Sequence, residues 1–586
     1  MNNDNLFNYN PNEKITKEFN STAALNEFEK ISQERKQSVL EGETPEWAIT
    51  AGYMMFKKRY SFEGETMREA YKRVAELGKY YKPNSELARQ KFFDLMWRGF
   101  LAPSTPVLAN VGLDRGDAVS CSGGYVPDSV KGFYHGLTEA AILSQRGYGT
   151  SGYLGDIRPR GTPISKGGKA SGVVPVFEDF NIMSNKISQG NTRRGQWAGY
   201  LPIMHGDFYE LWDHIFKNSA TSNIGWTLSQ ADIDALNRND PELIRRFNLI
   251  QYLRSRHGKG YIYKPDTANR LAPQAIKNCG IPIVASNLCV EISLPENDEY
   301  SFSCVLSSLN LSKWFEFDED TIFWSLIFLD CVCQQTIEET QGIKEIEKLH
   351  NFTKDFRALG LGTLGWHTLL QSLMLPIDSL QAKLLNKQIF KKIKQECLRA
   401  SRHLAEINGE PKFCKGLGVA NATFTAIAPN TSSALLCGGV SQGIEPIVAN
   451  VYNQNTAAGE VTRMNPLLLK YLKENNLYSE KLLSDIAINY QGSIQHIRGI
   501  PEDVKRVFAT AYEIDQYKLI DLAADRQPEL CQSQSLNLFF TSESTEQDIA
   551  AVTKYAINHD NIVSLYYQRG VRSVRGSSGE CVACEA

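Results

Sequence analysis

The sequence has no clustered histidines, no excess of positive charge and no long apolar run, which are features of metal-binding, nucleic-acid-binding and membrane proteins respectively. Its 9 histidines are scattered without HxxxH spacing or any similar cluster, so we expect no metal site. The formal net charge is -3 at pH 7, which provides no strong attraction to nucleic acid or to an anionic membrane surface. The longest apolar run, residues 321–333, contains Ser325 and Asp330 and is too short to span a bilayer. We therefore expect a soluble protein that binds neither nucleic acid nor a membrane.

The amino terminus lacks the features of a secretion signal. Residues 1–6 read Met-Asn-Asn-Asp-Asn-Leu, with neither a basic segment nor an apolar one. In such a chain the 12 cysteines are expected to be reduced thiols rather than structural disulfides. The sequence therefore predicts a cytoplasmic protein.

The last residues carry two cysteines, Cys581 and Cys584, with CxxC spacing. Zinc usually needs four ligands, and no second cysteine pair accompanies this one. The preceding segment, residues 569–580, is rich in glycine and serine, and a flexible segment of that length reaches roughly 20 Å. We predict a mobile dithiol that exchanges with another disulfide. The alternative is a disordered end with incidental cysteines.

The pattern of apolar residues divides the chain into three parts. Residues 1–102 have helical periodicity. Residues 103–568 alternate short β-like runs with helical stretches, which is typical of α/β proteins, and residues 450–515 form a mostly helical insertion. Residues 569–586 are the predicted flexible, redox-active tail.

Residues 286–295 are predicted to form a strand. Because side chains alternate along a strand, Asn287, Cys289 and Glu291 would project from one face and the apolar residues between them from the other. An amide, a thiol and a carboxylate would then lie side by side on one face of the strand. The alternative is a half-exposed strand with its polar residues outside and an inert cysteine.

Tyr566 and Tyr567 are adjacent in a strand-like run, residues 562–568. An ideal strand would direct them to opposite faces, so a stacked pair requires a local departure from strand geometry. The alternative is two ordinary core tyrosines.

Eight short motifs occur in one order and together resemble the catalytic (alpha) subunit of a class I ribonucleotide reductase. The resemblance runs from Pro103 to Cys584. It implies a ten-stranded α/β barrel built from two antiparallel-related halves, and reduction of ribonucleoside diphosphates to deoxyribonucleotides. The motifs are Pro-Ser-Thr-Pro at 103–106, Ser-Cys at 120–121, Asn-Leu-Cys-Val-Glu at 287–291, Cys304, Pro-Asn-Thr-Ser-Ser at 429–433, Gly-Ile-Glu-Pro at 443–446, Leu-Tyr-Tyr-Gln at 565–568, and the terminal CxxC.

The resemblance implies a role for each group at the centre of the site. Cys289 would become the thiyl radical that takes the 3′ hydrogen of the ribonucleotide. Glu291 would take the 3′-hydroxyl proton as general base, and Asn287 would hold the sugar hydroxyls. Cys121 and Cys304 would supply two electrons as the 2′-hydroxyl leaves as water, and would end as a disulfide. For these last two, the alternative is a pair of unrelated buried cysteines.

The resemblance also implies the partners. Tyr566 and Tyr567 would carry the radical inward from a separate small (beta) subunit with a metal cofactor, since this chain has no ligand cluster to hold one. Cys581 and Cys584 would re-reduce the barrel disulfide, and thioredoxin or glutaredoxin would recharge them. The chain itself is expected to hold no cofactor and to form a homodimer.

Substrate and effector contacts rest on the resemblance as well. Residues 429–433 precede a predicted helix, and the N–H groups and hydroxyls at the start of a helix can bind a phosphate. Arg158 would bind effector phosphate, Asp128 the effector base or ribose, and Arg193 would report the effector, a deoxynucleoside triphosphate or ATP, to the substrate. The family has a further basic effector contact just after the loop that contains Arg158, but in this chain Ser165 occupies that position, with Lys166 beside it. The predicted substrate contacts are Thr105, Ser120, Asn287, Glu291, Pro429, Asn430, Thr431, Ser432 and Ser433, and the predicted effector contacts are Asp128, Ser129, Arg158 and Arg193.

Within residues 1–102 only about fifty residues precede the regular helical pattern, and no basic Val-x-Lys-Arg-type start is present, so we expect neither an ATP-cone domain nor a dATP off-switch. Such a small form is expected of some bacteria or phages, in the bacterial or host cytoplasm. Three alternatives stay open. They are an adenosylcobalamin-dependent class II reductase, a nucleotide-binding regulator without activity, and a simple thiol oxidoreductase built on the CxxC pair.

Overall fold

We describe the protein from a computed structural model, which covers residues 22–165, 167–189, 193–456 and 459–570. The strands are β1 Leu101–Pro103, β2 Cys121–Tyr125, β3 Gly149–Tyr153, β4 Ser188–Gln189, β5 Arg193–Arg194, β6 Trp197–Pro202, β7 Ile224–Thr227, β8 Tyr261–Tyr263, β9 Phe302–Asn310, β10 Leu359–Leu364, β11 Val451–Thr456, β12 Gly459–Met464, β13 Leu538–Phe540, β14 Ser564–Leu565 and β15 Gln568–Gly570. The α-helices are α1 Thr22–Leu40, α2 Thr50–Met55, α3 Met67–Ala75, α4 Ser85–Trp97, α5 Thr105–Asn110, α6 Val130–Gln145, α7 Val173–Lys186, α8 Phe208–Lys217, α9 Gln230–Asn237, α10 Pro241–His257, α11 Pro265–Leu271, α12 Gln274–Asn278, α13 Thr321–Thr340, α14 Glu347–Phe356, α15 Trp366–Ser372, α16 Leu380–Asn408, α17 Thr431–Leu436, α18 Pro466–Glu474, α19 Glu480–Ile488, α20 Glu502–Val507, α21 Gln516–Arg526 and α22 Glu546–Asn558.

Helices α1–α4 precede the first strand, and the sequence sets two of their starts. Thr66 and Glu69 form a capping box at α3, in which the Thr66 hydroxyl accepts from the Glu69 N–H at 3.2 Å and the Glu69 carboxylate accepts from the Thr66 N–H at 2.8 Å. Asn84 caps α4 by accepting from the Leu87 N–H at 3.0 Å. Buried residues of α1–α4 share one hydrophobic core with α13 and α16, so this helical region is packed onto the rest of the molecule.

Five parallel strands form one half of a barrel. β2, β3, β6, β7 and β8 pair in this order, each parallel to the next. Helices α6 to α10 make the connections between them, because parallel neighbours need a crossover. The half ends in antiparallel partners on both sides, β9 beside β2 and β14 beside β8.

The second half consists of β9, β10, two irregular segments and β14. β9 and β10 are parallel, and a parallel bridge joins Ile427 to Gln534. Residues 423–427 and 532–538 therefore complete the ring between β10 and β14. Its closing hydrogen bonds run from Leu361 N–H to Phe424 O (2.7 Å), from Ile427 N–H to Ser533 O (3.1 Å) and from Tyr566 N–H to Leu536 O (2.8 Å).

The ring thus contains ten extended segments in two antiparallel-related halves, which confirms the α/β barrel predicted from the resemblance. Two of the ten are not regular strands, and one parallel bridge, between Ile427 and Gln534, pairs them with each other. In the part of the chain that the structure describes, no helix has the length and hydropathy that a bilayer crossing needs.

The insertion at 450–515 and the tail differ from the predicted pattern in detail. The insertion opens with the antiparallel hairpin β11–β12, and helices α18–α20 follow it over a small core of their own. Arg569 and Gly570, which the sequence assigns to the tail, belong to β15 and pair with β13. The remainder of the predicted tail, including Cys581 and Cys584, lies outside the described residues.

Candidate active site

Cys289 lies on a buried loop, and the prediction of a strand over residues 286–295 is wrong. The chain turns at Val290, whose φ of 59° is left-handed, and the Val290 N–H donates to Asn287 O at 3.3 Å. The Asn287 side-chain oxygen accepts from the Ile292 N–H at 3.2 Å and so closes the turn. A β-branched residue in this conformation costs ~1–3 kcal/mol and persists only where its surroundings fix it. The alternating polar pattern reflects a buried turn rather than a pleated strand.

The loop fills the interior of the barrel, because contacts reach it from opposite parts of the ring. From β6, the Tyr200 hydroxyl donates to Asn287 O at 2.5 Å. From the segment 532–538, the Ser535 hydroxyl donates to Cys289 O at 2.6 Å and the Ser533 N–H donates to Glu291 O at 2.9 Å. Asn287, Cys289 and Glu291 are all buried. The strained turn is therefore held by the strands around it.

Tyr566 contacts the Cys289 sulfur directly: its hydroxyl donates to Cys289 Sγ at 3.4 Å. The rings of Tyr566 and Tyr567 are tilted by 55° with centroids 4.1 Å apart. β14 ends at Leu565 and β15 begins at Gln568, so the two tyrosines lie in a break between strands. This break is the departure from strand geometry that a contacting pair requires. A continuous path of side-chain contacts runs from Tyr567 through Tyr566 to Cys289.

Cys121 and Cys304 are direct neighbours in the sheet. They are Cα partners in the antiparallel pairing of β2 with β9. Such partners are about 4.5–5.5 Å apart, within the Cα separation of about 4.4–6.8 Å that a disulfide accepts. Asn287 Nδ2 donates to Cys121 Sγ at 3.3 Å, which joins this pair to the loop. Burial raises the pKa of the Cys304 thiol, so it is protonated at neutral pH.

Glu291 is a carboxyl group that titrates near neutrality. Burial raises its pKa to about 7, and a hydrogen bond from Ser535, at 3.5 Å from Glu291 Oε2, opposes part of that rise. Since the group changes charge near physiological pH, it has the property of a general base.

The two predicted phosphate-binding motifs adjoin. The Ser433 hydroxyl donates to Pro103 O at 3.3 Å, which brings α17 against β1, the strand that precedes Thr105. Asn430 has a left-handed φ of 60°, and its amide donates to the Ser308 hydroxyl at 2.8 Å, so it anchors this turn to β9. The other predicted contacts lie nearby in the fold. The Thr105 and Tyr60 hydroxyls are hydrogen-bonded at 2.9 Å, and the Thr431 hydroxyl donates to Gln442 Oε1 at 3.0 Å. Ser120 directly precedes β2, and Pro429 directly precedes Asn430. Ser432 is buried in α17.

The structure brings together three of the four predicted effector residues. Arg158 and Asp128 form an ion pair. Ser129 caps α6, its hydroxyl accepting from the Gly132 N–H at 3.0 Å. Arg193 lies in β5, opposite Gln189 in the short hairpin β4–β5. The structure does not describe the Arg193 side chain. Lys166 also lies outside the described residues.

Sequence reasoning missed several residues that hold these groups in place. Gln532 Nε2 donates to Cys304 Sγ at 3.3 Å and to the Thr423 hydroxyl at 3.0 Å. Arg254 is fully buried and donates to the Tyr566 carbonyl at 3.0 Å. Tyr261 packs against both tyrosines of the pair. The polar run Gln-Ser-Gln-Ser at 532–535, in an otherwise buried region, is the one sequence signal that could have been noticed.

Within the described ranges, no group of three or more histidine, cysteine, aspartate or glutamate side chains could hold a metal ion. The described side chains gathered around Cys289 are thiols, phenols and a carboxyl.

Comparisons with known proteins agree on one family. A family model described as ribonucleotide reductase, barrel domain, matches residues 119–231, 242–415 and 412–567. A protein of Frog virus 3 (isolate Goorha), described as a ribonucleoside-diphosphate reductase large subunit, is 32% identical over 567 residues, covering 89% of this chain and 96% of the viral one. The ribonucleoside-diphosphate reductase large subunit of Invertebrate iridescent virus 3 is 29% identical over 598 residues, covering 88% and 93%. The solved structure of the Actinobacillus ureae class Id ribonucleotide reductase alpha subunit superposes with a TM-score of 0.83 at 34% identity, covering 90% of this chain and 97% of that one.

Proposed function

The chain belongs to the ribonucleotide reductase family, in which it is similar to class I large subunits, and from this membership we propose that it reduces ribonucleoside diphosphates by thiyl-radical chemistry at Cys289. A large subunit implies a small-subunit partner, which in this proposal generates the radical with a metal cofactor. The observation that carries the proposal is the contact of the Tyr566 hydroxyl with Cys289 Sγ at 3.4 Å.

The contact supports a one-step transfer of a hydrogen atom. A Tyr566 phenoxyl radical takes the hydrogen of the Cys289 thiol, which leaves an intact phenol and a sulfur-centred radical. The thiyl radical then takes the 3′ hydrogen atom of the ribose, and Glu291 accepts the 3′-hydroxyl proton. At the end of the cycle Cys289 returns the hydrogen atom. The enclosed loop supports this chemistry because it keeps water away from the radicals.

Cys121 and Cys304 supply the two electrons and two protons of the reduction. The 2′-hydroxyl leaves as water, and the two thiols become one disulfide. Their adjacent register in β2 and β9 supports this role. In the proposal Cys581 and Cys584 then exchange with that disulfide, and thioredoxin or glutaredoxin reduces the tail pair in turn.

The substrate diphosphate is proposed to bind where the motifs at 103–106 and 429–433 adjoin. The effector, a deoxynucleoside triphosphate or ATP, is proposed to bind beside Asp128, Ser129, Arg158 and Arg193, and to couple to the substrate site allosterically. Arg158 is paired with Asp128 in this structure, so effector phosphate would have to compete for its guanidinium. A homodimer in the cytoplasm completes the proposal.

Glu291→Gln should lower turnover by about 10²–10⁴-fold, the usual contribution of a general base. In the native enzyme only the ionised carboxylate accepts a proton, and burial raises the pKa of Glu291 to about 7. Turnover should therefore rise with pH through about 7. The residual activity of the variant should lack this rise. The measurement is the pH profile of CDP reduction at saturating small subunit.

Glu296→Gln is the matched control, since burial raises the pKa of Glu296 to about 8 and its charged neighbours are Glu139 and Lys348. It should retain the pH profile of the native enzyme. An unchanged profile in Glu291→Gln would remove Glu291 from the proposed role.

Partner dependence tests the proposed function as a whole. The purified chain is assayed for dCDP formation from CDP with dithiothreitol and ATP, with and without its small subunit, and separately with adenosylcobalamin. We expect product only with the small subunit. Product with adenosylcobalamin alone would establish the class II alternative. Effector binding without any turnover would favour the inactive regulator, and disulfide reduction independent of nucleotides would favour the simple oxidoreductase.

A further inference from the structure

A third tyrosine, Tyr261, completes a cluster with the pair at 566–567. Its ring centroid is 4.9 Å from that of Tyr566 and 5.6 Å from that of Tyr567. Its hydroxyl donates to the Tyr567 hydroxyl at 3.4 Å, at the long end of hydrogen-bonding distance. With the 4.1 Å contact inside the pair, every ring of the trio touches the other two.

Tyr261 is placed in this cluster by the barrel itself. It begins β8, where it is the Cα partner of Gly225 in β7, and β8 pairs in turn with β14, which leads directly into Tyr566. The side chain is fully buried. Its hydroxyl also lies 3.4 Å from Asn223 Oδ1, a neutral acceptor. The three rings of the trio are therefore buried inside the barrel.

Two other buried tyrosines nearby are engaged differently. The Tyr200 hydroxyl donates to the backbone oxygen of Asn287, and the Tyr263 hydroxyl donates to the Ser293 hydroxyl at 3.0 Å. Among these three tyrosines of β6 and β8, it is Tyr261 whose hydroxyl reaches a phenol of the pair. This hydroxyl contact sets Tyr261 apart from Tyr200 and Tyr263.

We propose that Tyr261 is a third redox-active tyrosine, which exchanges a hydrogen atom with the Tyr567 radical; the inference rests on the proposed radical function of Tyr566 and Tyr567. The Tyr567 phenoxyl takes the hydrogen of the Tyr261 hydroxyl, which gives a Tyr567 phenol and a Tyr261 phenoxyl. One O–H bond breaks and one forms, and no further oxidant is needed beyond the small subunit's radical. Donor and acceptor are both buried phenols, so the bond that breaks and the bond that forms are of the same type.

The consequence is a branch in the radical path. The unpaired electron distributes over three side chains rather than two before it reaches Cys289, whose sulfur accepts a hydrogen bond from the Tyr566 hydroxyl. Since the Tyr261 ring also contacts Tyr566, an electron hole on Tyr261 has two ways back to the path.

The test replaces one tyrosine at a time with 3-aminotyrosine, which is easier to oxidise and traps the radical. Each full-length variant is mixed with the small subunit, CDP and ATP, and the aminotyrosyl radical is followed by electron paramagnetic resonance. We expect the radical at position 261, formed as fast as at positions 566 and 567. Tyr148 is the control, because it is equally buried but its hydroxyl donates to Asp117 at 2.9 Å, and no radical is expected there.

Radical at 566 and 567 but none at 261 would overturn this inference alone. No radical at any of the three positions would overturn the proposed function and this inference with it. Radical at Tyr148 as well would mean non-specific oxidation, and would also overturn the inference.

Tyr261→Phe provides a second readout if the modified residue disturbs folding. It keeps the ring and removes the oxidisable O–H. We expect a changed kcat for CDP reduction with an unchanged KM, and a small loss of melting temperature because a buried hydroxyl is removed. An unchanged kcat in this variant would contradict a redox role for Tyr261.

Discussion

Cys289→Ser should form no detectable dCDP while remaining folded and able to bind effector. A serine hydroxyl has nearly the size of a thiol, so the loop should keep its contacts with Tyr200 and Ser535. An alcohol O–H bond is much stronger than a thiol S–H bond, so a Tyr566 phenoxyl cannot take its hydrogen. Effector binding should stay at the native level. The measurement is CDP reduction with the small subunit, ATP and dithiothreitol, with effector binding followed in parallel.

Cys397→Ser is the matched control, since Cys397 is as fully buried but lies in α16. It should lower the melting temperature through a buried hydroxyl and leave kcat close to that of the native enzyme. Turnover by Cys289→Ser above the assay background would contradict the account.

Cys304→Ser should also abolish dCDP formation, for a different reason. The variant can still form the thiyl radical on Cys289, but it cannot form the disulfide with Cys121 that supplies two electrons. A pre-reduced native enzyme without external reductant should make about two dCDP per chain, one from the barrel pair and one after exchange with the tail. Cys304→Ser should make none.

A variant with serine at both Cys581 and Cys584 separates the two cysteine pairs. It should make about one dCDP per chain when pre-reduced, and it should lose turnover supported by thioredoxin. Two products per chain from this variant would mean that the tail does not recharge the barrel, and any dCDP from Cys304→Ser would exclude Cys304 as the electron source.

The sequence identifies the chemical groups of this site better than their geometry. Asn287, Cys289 and Glu291 are found from their spacing and family resemblance, yet the strand that was to align them is a turn at Val290. Such a turn cannot be predicted from local propensity, because valine favours strands and the left-handed conformation is imposed by contacts from the surrounding barrel.

The other features of the site that could not be predicted from the sequence depend on pairing between segments far apart in the chain. The register that sets Cys121 opposite Cys304 depends on two strands far apart in the chain, which the sequence alone does not align. Likewise, the break between β14 and β15 at the tyrosine pair, and the approach of Gln532 to Cys304, arise only when the ring closes. The α/β class was predictable from alternating elements, whereas the ten-membered ring came from the resemblance.

The central claim is that the radical enters along Tyr567 and Tyr566 to Cys289. Its most direct test is dCDP formation by Tyr566→Phe with the small subunit, CDP, ATP and dithiothreitol, beside the native enzyme and Tyr148→Phe. Phenylalanine keeps the ring contacts at position 566 and removes the hydroxyl that lies 3.4 Å from Cys289 Sγ. The account predicts no product from Tyr566→Phe and native-like turnover from Tyr148→Phe. Product from Tyr566→Phe at a rate near that of the native enzyme would contradict it.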